Sequence, residues 1–210
     1  MYVGLMADLV EGLCWNPGQD EQIFTFQEQA LFINAMLEEL KGKILFAFKG
    51  EHDSVWQKRT GTDLYSDFTR RYQSPVFQGT TIIKLKVGGV EYTMVASHRL
   101  PGFSMYNRSH PAMRASKFGV QGADIYAGAH THKKAMEQQV VQTTDGSIVQ
   151  TFVICGPYKY SDEYSRYKGW AQQTEEELGA NWLILDHAQK RVTTFWSGQE
   201  TVRHLSQYLQ

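Results

Sequence analysis

The chain opens on an apolar stretch, YVGLMADLV (residues 2–10), that predicts a strand running into Asp8. Ile23, Phe26, Ala30, Ile33, Leu37 and Leu40 then recur at helical spacing, and Gly42 supplies a stop. KILFAF, from Lys43, is an unbroken apolar run of strand length that ends at Lys49–Gly50. Strand, helix, strand in that order predicts a right-handed crossover and a parallel sheet covered on both faces. Beyond residue 80 the period changes to two. TTIIKLKV and VEYTMVAS flank Gly88–Gly89, QQVVQTT and SIVQTFVI flank Asp145–Gly146, and NWLILD and RVTTFW flank a short polar turn, so three hairpins are expected. Asn107 to Phe118 reads as a helix, and the apolar run ending in Gly128 reads as a buried strand. No repeat, low-complexity tract or linker interrupts the pattern. The expectation is one domain over residues 1–210, an α/β sandwich of mixed sheets with a parallel start and an antiparallel completion.

Composition narrows the class without naming a chemistry. With 210 residues and 42% apolar content the chain can bury a substantial core. No apolar run approaches the roughly 20 residues that cross a bilayer, and Asp8 and Glu11 break the opening stretch where a signal peptide would be apolar. No membrane partner and a cytoplasmic location are therefore expected. Cys14 and Cys155 stand alone, outside any CxxC, and are read as buried small residues. A net charge of -1 argues against an extensive nucleic-acid coat but leaves room for a local basic face. Such a stretch exists: Tyr92 through Ala123 holds no Asp or Glu, yet carries Arg99, Arg108, Arg114 and Lys117. It suits a phosphate-facing surface or an ordinary solvated one.

The histidines change the picture more. Only seven occur, and two of them, His130 and His132, follow YAG one residue apart. In extended chain that spacing turns both rings to one side, as a metal pair or as a polar turn. Asp8, the GEHD stretch (Gly50, Glu51, His52, Asp53), His98 in VASHRLPG and the His130–His132 pair all fall just past apolar strand runs. Ligand sites of open α/β sheets lie at such carboxyl ends. Carboxylates and imidazoles without cysteine suit manganese, iron or zinc rather than a sulfur site.

The order AD, GEHD, SH and AHTH resembles the calcineurin-like metallophosphoesterase family, whose motifs run D-x-H, G-D, G-N-H-D/E, H and G-H-x-H. The resemblance spans nearly the whole chain. SHRLPGFSMYNRSHPAMR followed by ADIYAGAHTH is similar to a phage and prophage branch of that family. It implies the family's sandwich, with Asp8 as a carboxylate bridging two cations. Glu51, His98 and His130 would complete one metal shell, and His132 would serve the other. His52, beside Asp53, would carry the catalytic role of stabilising the transition state or protonating the leaving group. Arg99 and Arg108, with Arg114, are candidate phosphate clamps. Asn107 and His110 are candidates for the same cleft, Asn107 equally for a cap.

Three departures temper the match. The D-x-H motif and the first strand–helix unit of the family have no counterpart before YVGLMAD, Glu51 stands where an amide is usual, and Ala7 and Ala129 replace glycines. The resemblance then implies one complete divalent-metal site, manganese first with iron, zinc or nickel as substitutes, and one partial site. An N-terminally shortened chain, a relative that has lost activity and a site completed by another chain in an oligomer would each explain the gap. The function implied is hydrolysis of a phosphodiester, nucleic acid or nucleotide, by metal-activated water. The alternative is a non-catalytic, phage-associated scaffold for binding or assembly. GPYKYSDEYSRYKGW, from Gly156, interleaves aromatics with cations and fits either base stacking or a packed surface loop.

Overall fold

A computed structural model describes residues 1–12, 22–144, 146–161, 163–167, 169 and 171–208. The chain is mixed α/β and groups into two compact units, Met1–Gly79 with Ser161–Gln172, and Thr80–Tyr160 with Gln173–Gln210.

In the first unit, β1 (Val3–Leu5) pairs in parallel with β2 (Ile44–Phe48), the strand–helix–strand relation expected from the sequence. The intervening helix α1 spans Phe26–Glu39. It begins after Thr25, whose hydroxyl and backbone N–H close a capping box with Glu28, so Ile23 falls outside the helix and is 92% exposed. Gly42 ends the turn beyond it at φ +75°, a left-handed conformation that glycine adopts without a Cβ clash. From β2 the chain enters α2 (Glu51–Thr60) through Gly50, then passes α3 (Phe68–Tyr72) to β3 (Val76–Phe77), which pairs in parallel with β2. Leu37, Ile44, Ala47, Tyr65, Phe68 and Tyr72 form the apolar core of this unit. Leu45 stays exposed, so β2 is not covered as evenly as its apolar run predicts.

The second unit is built on a five-stranded sheet. The hairpin β4 (Thr81–Val87) and β5 (Val90–Ala96) turns at Gly88–Gly89 as expected, with Thr81 opposite Ala96. Helix α4 (His110–Phe118) then crosses to β6 (Ile125–Gly128), which is buried along its whole length. The hairpin β7 (Ala135–Thr143) and β8 (Gly146–Ile154) completes the sheet in the order β4-β5-β6-β8-β7. Asp145, between those two strands, lies outside the described residues. Within this sheet only the two hairpins are antiparallel: β5, β6 and β8 run parallel, with α4 as the crossover from β5 to β6 and β7 placed outside β8, an order that the pattern of hairpins alone does not reveal. Residues 161–172, with the short helix α5 (Glu163–Tyr167), belong to the first unit. A separate hairpin, β9 (Trp182–Leu185) and β10 (Val192–Phe195), precedes α6 (Gly198–Ser206). Val95, Leu100, Ala112, Ala115, Tyr126, Phe152 and Ile154 fill the core between α4 and the sheet, with Tyr126 and Phe152 stacked at 5.6 Å.

Cys14 lies outside the described residues. Cys155 is only partly buried as a residue, a correction to the expectation, but desolvation of its thiol pushes its pKa up. No helix among the described residues is long and apolar enough to cross a membrane.

Candidate functional site

The carboxylate of the first unit is presented by a strained turn. Past β1, Ala7 and Asp8 both adopt left-handed backbone, at φ 80° and 52°. Two consecutive non-glycine residues in that region cost about 1–2 kcal/mol each and persist only where surrounding contacts impose them. Asp53 imposes them. Its side chain accepts hydrogen bonds from the backbone N–H of Asp8 (3.0 Å) and Leu9 (3.1 Å), from Gly50 N–H (3.0 Å) and from the Tyr65 hydroxyl (3.0 Å). Asp53 is 2% exposed; burial pushes its pKa up and the Asp8 charge adds to that, while the hydrogen bonds from Gly50, Tyr65 and Asp8 pull it back down. The sequence resemblance names Asp53, beside His52, as a catalytic candidate. Its oxygens instead fasten the Asp8 turn to the start of α2.

The N-terminus of α2 receives Asp8 in turn. His52 N–H donates to Asp8 Oδ1 at 3.1 Å, so the carboxylate lies against the positive end of the helix. Gly50 makes the approach possible: a Cβ there would collide with Asp8 Oδ1. The glycine of GEHD is thus required by close approach of a side chain. Glu51 is the first residue of α2, and His52 follows it with its Nδ1 2.7 Å from the Glu11 carbonyl oxygen. A carbonyl can only accept, so Nδ1 carries the hydrogen and Nε2 is the ring atom left for proton exchange.

In the second unit, His98 lies two residues past β5 and is 6% exposed, and His130 lies two residues past β6. The two segments are tied together, since Ala129 N–H donates to the His98 carbonyl at 3.0 Å and Ser97 N–H to the Ala127 carbonyl at 3.1 Å. Their imidazole rings meet edge to face with centroids 5.3 Å apart. His130 and His132 are both left-handed, at φ 68° and 55°. The expectation of an extended pair with period-two spacing is therefore corrected: the AHTH segment is a tight turn, and it sets the His130 ring against His98.

Asp8 and Glu51 of the first unit, and His98 and His130 of the second, are each residues that could offer one oxygen or nitrogen to a metal ion. Two carboxylates and two imidazoles suit a borderline-hard divalent cation, and the Gly50 cradle keeps one Asp8 oxygen clear of side-chain obstruction. His132 is not part of that set among the described residues.

The expected phosphate contacts divide. Arg99 is exposed, directly after His98. Arg108 is paired with Glu177, so it is engaged in a structural ion pair. Asn107 acts as the turn residue before α4: its Oδ1 accepts from Ser109 N–H at 2.7 Å and its amide donates to the Met113 sulfur at 3.2 Å. His110 opens α4, with its ring against Gly102. In the tyrosine-rich segment Tyr158, Tyr160 and Tyr167 are exposed, and Lys168 and Trp170 lie outside the described residues. Sequence reasoning misses Tyr65, whose only signal is a hydroxyl in an otherwise apolar core.

Comparison with protein-family models and with curated proteins finds no match for this chain.

Proposed function

We propose that the chain is a divalent-metal phosphodiesterase, acting on nucleic acid or a nucleotide, with Asp8, Glu51, His98 and His130 as ligands of one cation, manganese by preference. The observation that carries this reading is the donor chemistry: two carboxylates, Asp8 and Glu51, and two imidazoles, His98 and His130, each at a strand-end segment, with Asp8 and His130 in left-handed backbone. A divalent cation bound by such ligands supplies a hydroxide-like nucleophile near neutral pH and neutralises charge on the phosphate oxygens.

The chain's own residues do the rest. Asp53 and the Tyr65 hydroxyl fix the Asp8 turn, and the His52 N–H orients the Asp8 carboxylate. The His52 ring, anchored through Nδ1–H to the Glu11 carbonyl, would in its doubly protonated form give the Nε2 proton to a departing alkoxide. Arg99 adds a guanidinium suited to bidentate contact with a phosphodiester.

A second reading is favoured by Glu51, whose extra negative charge replaces the neutral amide of the resembled motif: a metal-binding scaffold that does not turn over. Hydrolysis of bis-p-nitrophenyl phosphate with added Mn²⁺ separates the two. The enzyme reading predicts activity in the wild type and a drop of at least about 100-fold in His130→Ala, comparable with loss of a principal catalytic group. Equal activity in both proteins contradicts the assigned ligands. Inactivity of a wild type that still binds Mn²⁺ assigns the scaffold role.

A further inference from the structure

The segment between His98 and α4 carries three large apolar side chains in the open within four positions. Phe103 is 67% exposed, Met105 75% and Tyr106 94%. Single exposed apolar residues are ordinary on protein surfaces, but a cluster marks a contact site. The backbone beneath them is ordered by its own hydrogen bonds. Ser104 Oγ accepts from the N–H groups of Tyr106 (3.2 Å) and Asn107 (3.1 Å), and the Asn107 carbonyl accepts from His110 N–H at 3.2 Å. Against α4 the loop fits closely, since a Cβ on Gly102 would lie 2.7 Å from Arg114 Cδ. The rings therefore project from a fixed support.

Two cations lie close to this segment, Lys133 and Arg114. Lys133 Nζ stands 5.8 Å from the Phe103 ring centre, and the Arg114 guanidinium lies 5.1 Å over Phe118, itself 76% exposed. Arg99 and Lys117 are exposed nearby in sequence, and among the described residues Arg99, Arg114, Lys117 and Lys133 have no carboxylate within ion-pair distance. Tyr92 through Ala123 contributes no acidic residue at all. Flat rings interleaved with unneutralised cations match one ligand chemistry: unpaired bases on a phosphodiester backbone, which offer a π-face to each ring and a negative charge to each cation. A duplex hides its base faces and would use only the charges.

We infer that the 99–118 segment with Lys133 is a binding platform for single-stranded nucleic acid, with Phe103 and Tyr106 as stacking residues and Arg99, Arg114, Lys117 and Lys133 as backbone contacts. The inference rests on the phosphodiesterase reading for its substrate and narrows that substrate to unpaired strands. Arg99 directly follows His98 and Lys133 is three residues past His130, so the platform continues the chain segments that carry the proposed ligands.

Fluorescence anisotropy with a labelled oligothymidylate of about 15 nucleotides, the upper range of single-strand site sizes, tests it in EDTA, where neither cation nor turnover is needed. The wild type should bind, and bind the blunt duplex of the same length less tightly. Phe103→Ala with Tyr106→Ala should weaken binding about tenfold or more, while Phe103→Trp with Tyr106→Trp retains it. Arg99→Gln with Lys117→Gln should reduce the slope of log affinity against log salt by about 1.4, roughly 0.7 for each phosphate that is no longer neutralised. No binding by the wild type, equal affinity for duplex, or indifference to removal of both rings overturns the platform. So does adsorption to phosphatidylserine vesicles that depends on the rings while the oligonucleotide does not bind. Hydrolysis of bis-p-nitrophenyl phosphate without oligonucleotide binding would defeat this inference and leave the phosphodiesterase reading standing; binding without hydrolysis would do the reverse.

Discussion

At the residue scale, the site is organised around strain held by hydrogen bonds. Ala7 occupies left-handed backbone that a glycine would adopt freely, and Gly50 occupies a place that no other residue could fill without displacing Asp8. Substitutions at the two positions should act in opposite directions. Ala7→Gly should stabilise the chain by on the order of 1 kcal/mol, the left-handed penalty less the entropy that glycine adds to the unfolded state, and so raise Tm by about 2–4 °C. Gly50→Ala should lower Mn²⁺ affinity by at least about tenfold, since its Cβ would take the space of Asp8 Oδ1 and a charge-assisted interaction is worth that much. Thermal melts and calorimetric Mn²⁺ titration check the pair, and an Ala7→Gly protein less stable than the wild type would show that the turn is not strained. Asp8, His98 and His130 are legible in the sequence because a polar residue after an apolar strand run stands out. The roles of Asp53 and Tyr65 are not, because they depend on residues 45 and 12 positions apart meeting in the fold.

At the element scale, most strands and helices follow from periodicity and turn residues, and the hairpins β4–β5 and β7–β8 have the expected strand limits to within a few residues. The parallel pairing of β6 is hidden because four buried residues, Ile125–Gly128, show no alternation and fit any sheet interior. The turn before β9 is hidden too, since it is held by tertiary contacts. Arg108 pairs there with Glu177, and the buried Lys134, its pKa lowered by desolvation, donates to the carbonyls of Leu178 (3.1 Å) and Trp196 (2.6 Å). Glu177 is held below its usual pKa, first by the Thr174 backbone N–H and then by Arg108. A carboxylate whose folded pKa is depressed stabilises the fold above its unfolded value, about 4.3, and that contribution disappears as pH falls through the folded value. The Tm difference between wild type and Glu177→Gln should accordingly be largest near neutrality and shrink as pH falls below the unfolded value. A difference that stays constant over that range would remove the pair from the acid response.

At the scale of the whole molecule, the proposed ligands lie far apart in the chain, Asp8 and Glu51 near its start, His98 and His130 well beyond its first hairpin. One cation held in common is what would give these separate motifs a single purpose. An ion that binds the folded chain stabilises it by mass action, about 2.7 kcal/mol at a hundredfold excess over Kd. Counting that ion is the decisive experiment: Mn²⁺ bound per chain, by equilibrium dialysis with elemental analysis, in wild type, Asp8→Asn and His130→Ala. Four protein ligands are enough for a single site, so the wild type should hold about one Mn²⁺ tightly and both variants should lose it. Two tightly held ions, or one ion retained equally by Asp8→Asn and His130→Ala, would contradict the shared site.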